Sequence, residues 1–120
     1  MDFEHPDLHR WLEEASDEAL DALAYGVIGL APDGVMERYN TFESKLSGMS
    51  PARVLGRHFF TEVAPCTNNF MVAQRFEDLG ALDESLPYVF TLKMRPRKVT
   101  LRLLRRPDAR RMYIIVRERA

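Results

Sequence analysis

The chain has 120 residues, 46% of them hydrophobic, and a formal net charge of -1, which predicts one folded domain and argues against a disordered chain. No segment approaches the roughly 20 apolar residues of a membrane-spanning helix, and the acidic start lacks a signal-peptide pattern, so we expect a cytoplasmic protein with no membrane partner. Cys66 is the only cysteine, which excludes an internal disulfide and a multi-cysteine metal site.

The small net charge conceals two segments of opposite sign. Residues 1–92 hold 6 basic and 16 acidic side chains, whereas residues 93–120 hold 11 basic and 2 acidic ones. We expect the acidic N-terminal segment to dock against the basic C-terminal strands. The alternative is that both sets of charges are solvated faces, because exposed ion pairs contribute little to stability.

Residues 1–22 predict an N-terminal helical cap on a core of residues 23–120. Apolar residues recur near a 3.6-residue period with carboxylates between them, at Leu8, Trp11, Leu12 and Ala15. Ser16 has the position of an N-cap before a second short helix. We expect the cap to dock reversibly through Phe3 and Trp11.

The core begins with a predicted hairpin and continues with short helices. Segments 23–31 and 35–39 flank the turn sequence Pro32-Asp33-Gly34. Between residues 40 and 80 the apolar spacing is helical but interrupted, with Ser50-Pro51 as a helix start and Gly80 as a stop.

The C-terminal third predicts three further strands. Apolar residues alternate over 88–94 and 99–103 and run together over 113–116, with breaks at 95–97 and 107–109. The whole order predicts an α+β fold: a central antiparallel sheet of about five strands, flanked by short helices and covered by the N-terminal cap.

Cys66 is the first residue that could carry chemistry. A free cysteine is more often a small hydrophobic residue than a reactive group, so the thiol alone indicates little. A pair with His58 could make an acyl-transfer enzyme, but nothing in the sequence orients that base. His5 and His9 lack further metal ligands nearby, and the C-terminal arginines lack the aromatic platform of a nucleic-acid surface.

Tyr39, Glu43 and Ser47 are spaced four residues apart, which places a phenol, a carboxyl and a hydroxyl on one face of any helical turn. If this face points to solvent, it is an ordinary polar stripe. If it points inward, burial raises the pKa of Glu43 and keeps the carboxyl protonated as a hydrogen-bond donor.

Together these residues resemble the photoactive yellow protein family, blue-light receptors with a PAS-type fold. The resemblance covers nearly the whole chain, and its most specific segment is Val63-Ala64-Pro65-Cys66-Thr67. The other matching segments are 20–26, Tyr39-Asn40 followed by Glu43 and Gly48, 56–60 and 94–99.

The resemblance implies that Cys66 bears 4-hydroxycinnamic acid (p-coumaric acid) through a thioester. It also implies that Tyr39 and Glu43 hydrogen-bond the phenolate oxygen, with Ser47 in support. A buried phenolate needs such donors, and a second negative charge beside it is disfavoured, so Glu43 should hold a proton. The remaining residues implied to surround the chromophore are Phe59, Val63, Thr67, Phe90 and Met94.

The function implied is that of a blue-light photoreceptor and not an enzyme. We expect trans–cis photoisomerisation, proton transfer from Glu43 to the phenolate, and partial unfolding of the cap as the signalling state. The ionised Glu43 would then be an uncompensated buried carboxylate that drives this release. The receiver would be an unidentified signalling protein, and the chain a monomer or weak dimer.

Two positions differ from the family pattern. Met49 stands where several relatives carry an arginine over the chromophore, and Tyr113 stands where tryptophan is frequent. The absorption colour and the recovery rate could therefore differ from those of relatives. The alternative function is a PAS-like regulatory module that binds another ligand or a partner protein and never acquires the cinnamoyl group.

Overall fold

A five-stranded antiparallel sheet organises the protein, which a computed structural model describes over residues 1–119. The strands lie in the order β2-β1-β5-β4-β3, so that the first hairpin and the C-terminal strands meet where β1 pairs with β5. The α+β prediction is confirmed. The strand bounds are β1 (Gly26–Leu30), β2 (Met36–Tyr39), β3 (Leu82–Leu92), β4 (Arg95–Arg105) and β5 (Met112–Glu118).

The side chains of the central strands are buried on both faces of the sheet, because the helices after β2 cover one face and the N-terminal segment covers the other. Successive side chains of a strand point to opposite faces, so β5 contributes to two separate apolar cores. Ile114 and Val116 enter the main core, which the helices after β2 cover, whereas Tyr113 and Ile115 enter a smaller core beneath the N-terminal segment.

The N-terminal segment forms two helices, α1 (Leu8–Glu14) and α2 (Asp17–Asp21). Ser16 caps α2 as predicted, since its hydroxyl accepts from the backbone N–H of Ala19 at 3.1 Å. Phe3 is buried as expected, but Trp11 is only partly buried. The other buried apolar residues of this segment are Leu8, Leu12 and Leu20. The bounds of 1–22 for the cap and 23–120 for the core stay predictions, and Ala120 lies outside the described residues.

Two buried arginines hold this cap by its backbone more than by its carboxylates. Arg102 donates to the carbonyl oxygens of Phe3 and His5, both at 2.8 Å. Arg38 donates to those of Leu12 at 2.6 Å and Ala15 at 2.5 Å. The expected docking of opposite charges is present chiefly at the exposed rim, as between Arg117 and Glu4.

Short helices cover the other face of the sheet. They are α3 (Thr41–Ser47), α4 (Pro51–Val54), a π-helical turn (Phe59–Val63), a 3-10 turn (Pro65–Thr67) and α5 (Ala73–Asp78). Asn40 caps α3 and fixes it to the sheet, because its side-chain oxygen accepts from the N–H groups of both Glu43 and Val27. Gly48 ends the helix with a φ of 76°, which glycine adopts without strain.

The turn between β3 and β4 lies at Lys93 and Met94, not at the expected break 95–97, and both turn residues have positive φ. Pro96 suggested a break but is accommodated inside β4, because β4 pairs with β5 only from Val99 onward. Pro87 lies in the edge strand β3, where a missing N–H costs little.

Among residues 1–119 no helix is long and apolar enough to cross a membrane. The same residues contain no group of His, Cys, Asp and Glu side chains that could hold a metal ion.

Candidate functional site

The polar stripe of Tyr39, Glu43 and Ser47 faces inward. Glu43 has 0% and Ser47 1% of its surface exposed, and Tyr39 has 8%. The Asn40 cap draws α3 against β1, and any side chain at Gly26 would collide with the Glu43 carboxyl. These contacts between α3 and β1 therefore place the Glu43 carboxyl in the protein interior.

Tyr39 is suited to donate a hydrogen bond. Its hydroxyl lies 2.5 Å from that of Ser47, and burial is the main cause that raises the pKa of Tyr39 to about 12. The phenol therefore keeps its proton at neutral pH. Ser47 is itself held by the backbone N–H of Met49, which donates to its hydroxyl at 3.1 Å.

Glu43 is a carboxyl with one satisfied and one unsatisfied oxygen. Its Oε2 accepts from the Arg97 guanidinium at 2.7 Å, whereas its Oε1 has no hydrogen-bond partner among the described residues. Burial outweighs the attraction of Arg97 and raises the pKa of Glu43 to about 7. Glu43 can therefore exchange a proton near neutral pH.

Arg97 is a member of the site that sequence analysis did not identify. Its guanidinium lies 5.6 Å from the centre of the Phe90 ring and 3.4 Å from Glu118, and its Nε has no partner among residues 1–119. Arg97 lies 54 residues from Glu43 along the chain, within a run of basic residues that suggested a solvated face. Its position before the Val99–Leu103 alternation gave no indication that it points inward.

Cys66 lies in the 3-10 turn and packs against the main core, to which Tyr39 also belongs. Its Sγ donates to the carbonyl oxygen of Thr91 and accepts from the Thr91 N–H, both at 3.3 Å. Its own carbonyl oxygen is held by the Tyr88 hydroxyl at 2.5 Å and by the Asn69 side chain at 3.0 Å. Tyr88 and Asn69 were not predicted, and they fix the backbone that presents the thiol.

Most of the other predicted site residues are buried. Phe59, Val63 and Phe90 belong to the same apolar core as Tyr39, and Cys66 packs against that core. Thr67 is fully buried, and its hydroxyl donates to the carbonyl oxygen of Ala64 at 2.7 Å.

Met94 is not part of this core. Its side chain is 93% exposed, because Met94 occupies the tight turn between β3 and β4. The structure therefore directs Met94 to solvent, and its expected contact with the chromophore stays a prediction. Met49, in contrast, packs against the main core.

The histidines do not form the alternative sites considered from the sequence. His58 Nδ1 bonds the Thr61 hydroxyl at 3.0 Å, and no hydrogen bond joins His58 to Cys66 within residues 1–119. His9, on the buried face of the cap helix α1, packs against Tyr113, and its Nε2 bonds the carbonyl oxygen of Arg111. His5 lies before α1 and so does not share a helical face with His9.

The site is chemically suited to an aromatic ligand with one acidic oxygen. The buried Oε1 of Glu43 has no partner, Tyr39 keeps its proton, and Arg97 supplies a positive charge beside them. The Phe90 ring adjoins this polar group through Arg97, and the Cys66 side chain packs against the same apolar core. The residues present therefore fit a 4-hydroxycinnamoyl group.

Fold and site define a PAS-type sensory domain. The PAS domain of an HTR-like protein from Haloarcula marismortui superposes with a TM-score of 0.66 over 86% of this chain and 93% of that one, at 19% identity, which supports the fold alone. No family model matches the chain.

Two further comparisons specify the family. The photoactive yellow protein of Rhodothalassium salexigens is 33% identical over 118 residues, 96% of this chain and 94% of that protein. The photoactive yellow protein domain of the sensor histidine kinase Ppr from Rhodospirillum centenum is 41% identical, with a TM-score of 0.82 over 92% of this chain and 99% of that one. The chain belongs to the photoactive yellow protein family, as its sequence resemblance indicated, and is a PAS-type photoreceptor.

Proposed function

We propose that the protein is a blue-light receptor in which Cys66 carries a 4-hydroxycinnamoyl group as a thioester, with its phenolate oxygen at Tyr39 and Glu43. The observation that carries the proposal is the buried Glu43 carboxyl, whose Oε1 has no partner within the described chain. A buried polar atom without a hydrogen bond lowers the stability of the folded state, unless a ligand supplies the missing partner.

When bound, this group supplies light absorption and trans–cis isomerisation. The protein residues then have separate tasks. Cys66 anchors one end, Tyr39 donates a hydrogen bond at the other, and Glu43 holds a proton that it releases after light absorption. Since the pKa of Glu43 is raised to about 7, holding and releasing a proton both lie within reach at physiological pH.

A continuous set of hydrogen bonds leads from Glu43 to the N-terminal cap. The Asn40 side chain accepts from the Glu43 N–H at 3.1 Å and donates to the carbonyl oxygen of Leu20 at 2.9 Å. The Thr41 N–H donates to Asp21 at 2.7 Å. A shift of α3 when Glu43 changes charge therefore acts on the end of α2, and we propose partial unfolding of the cap as the signalling state.

The partner would be a signalling protein, because one similar structure is a domain of a sensor histidine kinase. This assignment follows from the relative and does not identify the partner of the present chain. The proposed role is regulatory and not enzymatic.

Addition of activated 4-hydroxycinnamic acid tests the central claim. The wild type should gain the mass of one cinnamoyl group and turn yellow, whereas Cys66→Ala should remain unmodified and colourless. A wild type that stays colourless would defeat the proposal. After a flash, infrared difference spectra should lose a protonated-carboxyl band that is absent in Glu43→Gln.

The second candidate is a PAS-like module that binds a different ligand or a partner protein. The Arg97 contact favours it, since this arginine neutralises Glu43 without any phenolate. This candidate would be supported if the folded protein gained no cinnamoyl group after addition of the activated acid.

A further inference from the structure

We infer that Arg97 is the counter-ion of the chromophore site and keeps a single negative charge shared between Glu43 and the bound phenol. The inference rests on the proposed function, because it concerns the same site. Arg97 is a positioning residue in this scheme: its charge keeps one proton, and so one negative charge, shared between the two acids.

Arg97 reaches the site from the sheet, opposite α3. Its side chain is 11% exposed, and its guanidinium donates to Glu43 Oε2 at 2.7 Å. The Phe90 ring lies 5.6 Å from the guanidinium carbon and connects Arg97 to the apolar core. The backbone of Thr91, the next residue, bonds Cys66 Sγ. The guanidinium therefore lies at the polar end of the region that the chromophore would occupy.

The charged and titratable groups around the guanidinium are few. Glu43 faces it from α3, Glu118 from β5 and Tyr39 from β2, while β3 presents Phe90. Glu118 is 43% exposed and 3.4 Å away, so solvent screens that pair. The buried groups that can be charged at neutral pH are therefore the permanently charged Arg97 guanidinium and the Glu43 carboxyl.

A bound 4-hydroxycinnamoyl group adds a second acidic group, its phenol, beside Glu43. With Arg97 charged, the site is neutral when one proton is shared by the two acids. The phenolate with a protonated Glu43 satisfies this condition, and so does the phenol with an ionised Glu43. Proton transfer breaks the Glu43 O–H bond and forms the phenol O–H bond, without changing the total charge.

This arrangement changes the expected character of the light-activated state. The sequence suggested an uncompensated Glu43 carboxylate, but Arg97 lies within hydrogen-bond distance to compensate it. The Arg97–Glu43 contact is thus the arrangement left once Glu43 has lost its proton. The unpartnered Nε of Arg97 fits a second acceptor, which the phenolate would provide.

Three substitutions test the inference. Arg97→Met removes the charge, Arg97→Lys preserves it, and Lys98→Met is the matched control, because Lys98 is exposed on the same strand. In the chromophore-free protein, ¹³C NMR of the carboxyl carbons follows Glu43, assigned by comparison with Glu43→Gln. Arg97→Met should raise the titration midpoint of Glu43 by about one pH unit or more, a tenfold change in proton affinity. Lys98→Met should leave the midpoint unchanged.

In the loaded protein, the visible band reports the phenolate during acid titration. Arg97→Met should move the loss of this band to higher pH, also by about one pH unit, while Arg97→Lys should restore most of the difference. Equal midpoints in Arg97→Met and Lys98→Met would overturn the inference. If Arg97→Met does not fold, Arg97→Gln provides the uncharged variant.

Failure of the proposed function has a different signature. If even the wild type takes up no cinnamoyl group, the receptor assignment fails and the counter-ion role toward a phenolate fails with it. The NMR titration would still show whether Arg97 controls Glu43. If the wild type loads and the midpoints do not respond to Arg97, only the present inference fails.

Discussion

The guanidinium of Arg38 lies 3.2 Å from the hydroxyl of Tyr113 beneath the N-terminal cap. Arg38 also donates to the carbonyl oxygens of Leu12 and Ala15, where α1 passes into α2. Tyr113 is fully buried in the smaller core, so the pair connects the sheet to the joint between the two cap helices.

Arg38→Met should loosen the cap, because it removes charge-assisted hydrogen bonds to two cap carbonyl groups. We expect a loss of about 2 kcal/mol in the free energy of unfolding. Hydrogen exchange should accelerate in residues 8–21 more than in β4. Arg10→Met is the control, since Arg10 is exposed on α1. Equal exchange in the two variants would contradict a clamp at Arg38.

Glu43 should make the stability of the chromophore-free protein fall as pH rises. Its folded-state pKa of about 7 exceeds the ordinary 4.5, so the folded state binds more protons than the unfolded state between these values. The stability is fully present below about pH 4.5 and is lost as pH rises through 7, by about 3 kcal/mol in total.

Urea denaturation between pH 5 and 8 measures this effect through the difference between the wild type and Glu43→Gln. The variant lacks the titration, so its stability relative to the wild type should increase with pH. Glu77→Gln, on the exposed side of α5, should follow the wild type. A constant difference between the wild type and Glu43→Gln would show that the carboxyl is not desolvated.

Tyr39→Phe should destabilise the protein by about 1 kcal/mol, because Ser47 loses a buried hydrogen-bond partner. In the loaded protein the phenolate would lose one donor. The pH at which the visible band disappears should then rise relative to the wild type. A loaded variant with an unchanged acid midpoint would exclude Tyr39 as a donor to the chromophore.

Acid should weaken the cap through His9. Burial lowers the pKa of His9 below 6.5, and its Nδ1 has no partner in the described chain. The stability from the neutral ring is fully present above about pH 6.5 and is lost as pH falls through the lowered folded-state value. Other groups near the ring are Glu13, Arg106, Asp108 and Arg111.

His9→Gln keeps a donor for the carbonyl oxygen of Arg111 but does not titrate. The protection factors of the α1 amides, which correct for the intrinsic pH dependence of exchange, should fall from pH 7 to 5 more in the wild type than in this variant. His58→Gln, far from the cap in sequence and bonded to Thr61, should behave as the wild type. A His9→Gln profile that parallels the wild type would assign the acid response to other groups.

Periodicity and turn residues predicted the sheet, the cap helices and the segments around the site, because these features depend on neighbours close in sequence. The inward direction of Glu43 required more information. It depends on the contact of Asn40 with Val27, which joins α3 to another element. The four-residue spacing was compatible with either orientation.

Long-range packing explains the remaining differences. Arg97 reaches Glu43 across 54 residues, and no local pattern indicates such a contact. Met94 resembles a pocket residue in its sequence context, yet the hairpin turn at Lys93 and Met94 directs it to solvent. Pro96 led to the predicted break at 95–97, but this proline lies within β4, in a part of the strand that does not pair with β5.

The division of the apolar side chains between two faces of the sheet has an evolutionary consequence. Tyr113 and Ile114 are adjacent in β5 but belong to different cores. A substitution in one core can be repacked without disturbing the other, whereas a one-residue insertion within β5 would exchange the two sets of side chains. Homologues can thus diversify their cap and their buried site independently, provided that the length of β5 is preserved.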